Sequence, residues 1–278
     1  MKSKVTASKP FDRDFAINVL YKAVRSASLI SSNPPGEPDL PDGYRLVGKI
    51  QASREEPLLA VTEREVAQQA PHQQAMADAV LAESRIMGLV ALNADQHAAI
   101  VAFHGTGNIQ EWLGNIDAIP VSFPHDNDAG LVHSGFLLIY EYFRKSIFTL
   151  LKGEGQSAQR VIVTGHSLGG ALTELCCYDI ARNAGLNYQP EMWSFAGPRA
   201  GGPVFAGHFD QAVSTCYRIV NHMDFVPQLP LPPLYKHVGK EVKVNGGFKW
   251  HDIGYAHKLE TYKVGLEKLQ EPSAVTDF

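Results

Sequence analysis

The stretch Arg160-Val-Ile-Val-Thr-Gly-His-Ser-Leu-Gly-Gly-Ala-Leu172 decides how this chain is read. Val161, Ile162 and Val163 form an unbroken β-branched run, the pattern of a strand covered on both faces in a parallel sheet. After Gly170 the apolar period changes. Leu168, Ala171, Leu172, Leu175 and Cys176 recur at helical spacing, so a helix follows the strand. Between the two stands Gly165-His166-Ser167-Leu168-Gly169, a G-x-S-x-G pentapeptide in a strand–turn–helix setting. Its glycines permit a very tight turn, which leaves the Ser167 hydroxyl exposed at the top of the sheet. The helix start behind it offers unpaired N–H groups and the positive end of a dipole, suited to a developing oxyanion. A serine alone is a poor nucleophile, so the rest of the chain is searched for a base, an acid to orient that base, and a second oxyanion donor.

The 278 residues suffice for one large α/β domain, with 45% hydrophobic and 19% charged residues. A net charge of −4 gives no sign of nucleic-acid binding. Three cysteines make no disulfide framework, and Cys176 and Cys177 adjoin on the predicted helix, so all three read as buried thiols. The apolar stretch Phe15 to Ile30 carries Lys22 and Arg25 and is no signal-peptide core, and no run reaches the ~18 apolar residues of a membrane span. The expectation is a soluble protein with no visible export signal, cytoplasmic or exported by a route the sequence does not display.

Outward from the nucleophile, Phe11 to Ile30 reads as an amphipathic helix with Phe11, Phe15, Val19, Leu20 and Val24 on one side. Tyr44 to Ile50 reads as a strand and the Ala- and Gln-rich Glu63 to Ser84 as a helix. Ile86–Leu92 and Ala98–Phe103 form a hairpin across a short polar turn. The second strand exits into His104-Gly105-Thr106-Gly107, where a glycine lets substrate approach the backbone and the threonine offers an N–H and a hydroxyl. In Asn108 to Ile119 the residues Ile109, Trp112, Leu113, Ile116 and Ile119 share one helical face. That face suits a surface helix or, alternatively, a lid that covers the site and turns toward lipid on opening. Leu137–Leu151 is helical, Met192–Phe195 a strand, Val204–Val213 a helix and Thr215–Val220 a strand. Alternating strands and helices predict one domain built on a mostly parallel sheet with helices on both faces. His133 precedes the serine and reads as structural.

The strand Thr215–Val220 runs into a loop holding Asp224, stiffened by Pro227 and Pro230. Sites in open α/β sheets gather at the carboxyl ends of strands, and Asp224 lies after Ser167 in the order Ser, Asp, His. Asp179 and Asp210 fall in predicted helices, where a solvated face explains them, while Asp252, close to two histidines, stays open. His237, His251 and His257 are the candidate bases. His257 falls off the apolar stripe Tyr255, Leu259, Tyr262, Leu266 and Leu269. His237 precedes, and His251 ends, a predicted hairpin Glu241–Trp250 turning at Asn245-Gly-Gly247.

Several segments together resemble the class 3 (fungal-type) lipases of the α/β-hydrolase superfamily. Phe103-His-Gly-Thr106 is similar to the family's F-R-G-T oxyanion loop, with His104 in place of the arginine. Trp112-Leu-Gly-Asn-Ile-Asp117 resembles W-L-x-N-L-D, and Val132-His-Ser-Gly-Phe136 resembles V-H-x-G-F. Thr164 to Leu172 is similar to the family's nucleophile segment, Phe195 to Gly201 to F-G-x-P-R-V-G, and Ile219 to Pro227 to V-V-N-x-x-D-x-V-P. His257-Lys-Leu-Glu-Thr-Tyr262 resembles the H-x-L-x-x-Y around the family's catalytic histidine. The resemblance covers roughly residues 86 to 265 and implies the α/β-hydrolase fold, with Ser167 as nucleophile, Asp224 as orienting acid and His257 as base. It further implies Thr106 and the Leu168 N–H as oxyanion donors and a lid over Gly107 to Ile119. No metal or cofactor is required. The implied activity is acylglycerol ester hydrolysis, with possible transient contact with a lipid–water interface as its partner. The alternatives are a phospholipase A1 or other esterase, or a lipase-like binding protein without turnover. Residues 1–85 lie outside the resemblance and read as an extension packed on the core, either covering it or shaping the acyl pocket.

Overall fold

The computed structural model describes residues 8–32, 34–53, 62–64, 66, 68, 71–106, 119–186 and 188–269. Its centre is the strand β6 (Arg160–His166), whose Val161 and Val163 face one side of the sheet and Ile162 the other, all at most 2% exposed. The period-2 alternation explains why three consecutive apolar residues are all buried: each face has its own cover.

Among the described residues the sheet has seven strands. Beside β6 lie β3 (Ala98–Phe103), β2 (Ile86–Asn93) and β1 (Arg45–Gln51) on one side. On the other lie β7 (Glu191–Phe195), β8 (Cys216–Asn221) and β9 (Lys240–Val244). The β1–β2 and β2–β3 pairs are antiparallel and the four from β3 to β9 are parallel. The hairpin expected of Ile86 to Phe103 is thus present. A small ribbon of β4 (Pro120–Ser122) and β5 (Leu131–His133) lies apart.

One face is covered by α2 (Pro71–Glu83), α3 (Ser134–Lys152), α4 (Leu168–Asn183) and α5 (Pro203–Ala212), which share a core with Val101, Val161 and Val163. The opposite face is covered by α1 (Lys22–Ser31) and α6 (Leu259–Glu267), which share a core with Ile100, Ile162 and Trp193. A π-helical segment, Ala16–Tyr21, runs into α1. Its wider turn shifts the register, so Ala16, Leu20, Val24, Ala27 and Ile30 are buried while Val19 is only half-buried. Phe11 packs on Trp193 and Tyr217, both at 5.4 Å, so this N-terminal stretch completes the core rather than trailing from it.

Two expectations fail. The hairpin Glu241–Trp250 is absent: β9 ends at Val244 and pairs only with β8, in parallel. The reason is that Gly246 N–H is drawn to Asn221 Oδ1 at 2.9 Å, which runs the chain past the end of β8 instead of back along β9. Asp179 is not on a solvated face but fully buried, accepting from Tyr140 Oη, Arg144 Nε and Asn183 Nδ2 at 2.6 Å each. Cys176, Cys177 and Cys216 are free and buried, as expected.

Candidate active site

The parallel register aligns Phe103 with Gly165, Gly165 with Ser194, and Phe195 with Ile219, so β3, β6, β7 and β8 end at one rim. Everything that follows these strands is delivered there: Thr106, Ser167 and Asp224.

Ser167 sits at φ 59°, ψ −124°, a conformation that non-glycine residues rarely adopt and that costs about 1–3 kcal/mol. The surrounding structure imposes it. Ser167 N–H donates to the Phe195 carbonyl at 3.0 Å, and Gly170 N–H donates to the Ser167 carbonyl at 2.8 Å. A Cβ on Gly165 would lie 2.3 Å from the Gly169 carbonyl oxygen, and one on Gly169 2.5 Å from that of His104. The elbow therefore closes only with glycine on both sides of the serine.

Ser167 Oγ lies 2.8 Å from His257 Nε2, and His257 Nδ1 lies 2.8 Å from Asp224 Oδ2. The Nδ1–H donates to the carboxylate, which leaves Nε2 as the acceptor facing the hydroxyl. Asp224 is buried, and its second oxygen accepts from Val226 N–H at 3.0 Å. Tyr262 Oη donates to Asp224 Oδ2 at 2.6 Å. Thus three donors hold one carboxylate, the environment an ionised carboxyl requires away from water.

Thr106 follows Gly105, whose backbone packs so close to the elbow that a Cβ there would lie 3.0 Å from Ser167 Cβ. The Thr106 hydroxyl is buried and lacks a hydrogen-bond partner among the described residues. Leu168 opens α4, where the first-turn N–H groups have no intrahelical acceptor. His104 Nε2 lies 3.0 Å from the Ile86 carbonyl, a bond that ties the Thr106 loop to β2. Ile109, Trp112, Leu113 and Ile116, the expected lid face, lie outside the described residues, as does all of 107–118.

The rival residues are occupied elsewhere. Asp252 pairs with Lys258 at 2.6 Å, Asp210 accepts from Gly239 N–H at 2.8 Å, and His251 is exposed. His237 donates to the Pro227 carbonyl at 2.7 Å, and burial pushes it down to about 3. His133 caps α3 through Gly135 and Phe136 N–H, and burial likewise pushes it down to about 3, as befits a structural histidine. His257 lies not in a helix but at the end of the 3-10 turn Ile253–His257, which precedes α6. Sequence reasoning missed the parts played by Tyr262, Asn221 and His166. The signals were present, in H-x-L-x-x-Y, in V-V-N and in the residue before the serine, but hydrogen bonds of this kind are not visible in spacing.

Residues 100–233 match the family described as Lipase (class 3). A chloroplastic phospholipase A(1) of Arabidopsis thaliana is 26% identical over 59% of this chain and 48% of its own length. A lipase of Rhizomucor miehei is 34% identical over 55% of this chain and 43% of its own. Among solved structures, one described as a triacylglycerol lipase whose catalytic centre is a serine protease triad aligns with a TM-score of 0.51 and 29% identity. It covers 56% of this chain and 60% of the other. The chain spans about half the length of the curated relatives it matches. The resemblance read from the motifs is thereby shown, and the mostly parallel sheet with helices on both faces is an α/β-hydrolase fold.

Proposed function

We propose that this chain, whose residues 100–233 match the family described as Lipase (class 3), is a serine carboxylester hydrolase acting on lipid esters, with acylglycerols as substrate class. The observation that carries the reading is the unbroken line of two hydrogen bonds, 2.8 Å from Ser167 to His257 and 2.8 Å from His257 to Asp224. Ser167 Oγ attacks the ester carbonyl as His257 Nε2 takes its proton, and Asp224 stabilises the imidazolium. Thr106 and the Leu168 N–H stabilise the tetrahedral oxyanion, aided by the positive end of α4. His257 then protonates the departing alcohol. Water, deprotonated by the same base, releases the acyl group and restores the serine. Every proton in this sequence is carried by protein groups and water.

A second reading, hydrolysis of a phospholipid acyl ester, is favoured by the similarity to a plant phospholipase A(1). The two share chemistry and differ in the alcohol that leaves. Turnover of emulsified triolein, of phosphatidylcholine vesicles and of a soluble p-nitrophenyl ester, each with wild type and Ser167→Ala, tests both. The expected result is ester turnover that falls at least about 1,000-fold in Ser167→Ala, with triolein preferred. A preference for phosphatidylcholine selects the second reading, and Ser167→Ala turnover near wild type rejects the hydrolase.

A further inference from the structure

The base His257 sits on a short turn whose last three carbonyls are each held by a side chain from a different element. Thr261 Oγ1, in α6, donates to the Tyr255 carbonyl at 2.6 Å. Asn221 Nδ2, at the end of β8, donates to the Ala256 carbonyl at 2.8 Å. His166 Nε2, beside the nucleophile, donates to the His257 carbonyl at 2.7 Å. A 3-10 turn of five residues has little stability of its own, and its Tyr255 carbonyl takes the Lys258 N–H only at 3.2 Å, so these donors fix where the imidazole stands.

We propose that His166 is a positioning residue: its Nε2–H, given to the main chain of His257, registers the base against the adjacent nucleophile Ser167. The inference rests on the hydrolase reading for its kinetic consequence but not for its geometry. A carbonyl is an acceptor only, so the proton must be on His166 Nε2. Burial pushes the His166 ring down to about 3, so it remains a neutral donor across the working range and puts no cation beside the base. The His166 and His257 rings are 4.9 Å apart, and the edge of His166 meets Tyr262 at 6.1 Å. His166 thus touches the base directly and, through Tyr262, the residue that holds Asp224.

Two substitutions separate donation from packing. His166→Phe keeps an aromatic ring against Tyr262 and loses the donor, whereas His166→Gln loses the ring and keeps an N–H at similar reach. On a soluble p-nitrophenyl ester, His166→Phe should lower kcat about 10- to 100-fold with KM within twofold. His166→Gln should recover to within about threefold of wild type, because it restores the hydrogen bond. Wild-type kcat in His166→Phe, or equal impairment of both variants, would overturn the proposal. His166→Leu replaces the Phe variant if that one does not fold. A second readout needs no turnover: the downfield proton resonance of His257 Nδ1–H, in its bond to Asp224. It should persist in wild type and His166→Gln and broaden or move in His166→Phe. An unchanged resonance in His166→Phe overturns the proposal whatever the fate of the hydrolase reading, which the Ser167→Ala control decides separately.

Discussion

Removing a single oxygen from Tyr262 separates what holds the site from what holds the fold. Tyr262 is fully buried and its hydroxyl lies 2.6 Å from Asp224 Oδ2. In Tyr262→Phe the ring and its contact with His166 stay, and only the donor to the buried carboxylate goes. A hydrogen bond to a charged acceptor contributes about 1.5–3 kcal/mol net. At about 2–4 °C per kcal/mol for a chain of this size, Tm should drop roughly 3–12 °C. The catalytic effect is separable, because Asp224 keeps Val226 N–H and His257 but loses one of the two bonds that set Oδ2. We expect kcat to fall about 3- to 10-fold, within the cost of a modest misplacement. Tyr140→Phe is the control. Its hydroxyl gives the same 2.6 Å bond to the equally buried Asp179, which keeps Arg144 and Asn183. It should cost a similar Tm and leave kcat unchanged. Calorimetry and ester kinetics on the two variants decide. An unaltered Tm and kcat in Tyr262→Phe, or an equal kcat loss in Tyr140→Phe, would refute the reasoning.

Stability should peak near pH 6.5 for reasons located at four buried groups. Burial holds His133, His166 and His237 neutral down to about 3, so protonation of the unfolded chain costs stability as pH falls below 6.5. Glu174 is pushed up to about 8 by burial, so ionisation of the unfolded chain costs stability as pH rises from 4.5 toward 8. Between 4.5 and 6.5 the three histidines outweigh Glu174 and stability rises with pH; above 6.5 the Glu174 slope remains, at about 1.4 kcal/mol per pH unit. Urea unfolding from pH 6.5 to 8 should therefore show a decline in wild type that Glu174→Gln abolishes; parallel curves would contradict this. Gly105→Ala would place a Cβ 3.0 Å from Ser167 Cβ and 3.1 Å from the His166 carbonyl oxygen, so the Thr106 loop must retreat. Its kcat should drop about 100-fold with little change in Tm, and unchanged ester kinetics would show that the loop's approach is not used.

The fold was legible wherever one segment satisfied a local rule. The run at Val161 to Val163 marked the central strand, and the period change after Gly170 marked α4, because burial on two faces and on one face leave different spacings. The hairpin misplaced at Asn245 to Gly247 shows the limit. Its turn chemistry is real, but a distant side chain, Asn221, outbids it for the Gly246 N–H. The same limit hid Asp179, whose partners Tyr140 and Arg144 lie on another helix. In the site, the glycines and serine of the elbow were legible because steric demand is local. The choice among His237, His251 and His257 was not, since it depends on which loop folds back to the rim. Only the H-x-L-x-x-Y resemblance singled out His257.

The account stands on Ser167 being activated by His257. Incubation with a fluorophosphonate, followed by peptide mapping, measures that directly. The account predicts one adduct on Ser167 in wild type and a labelling rate reduced at least about 100-fold in His257→Ala. No adduct at Ser167, or equal labelling of the two proteins, would contradict it.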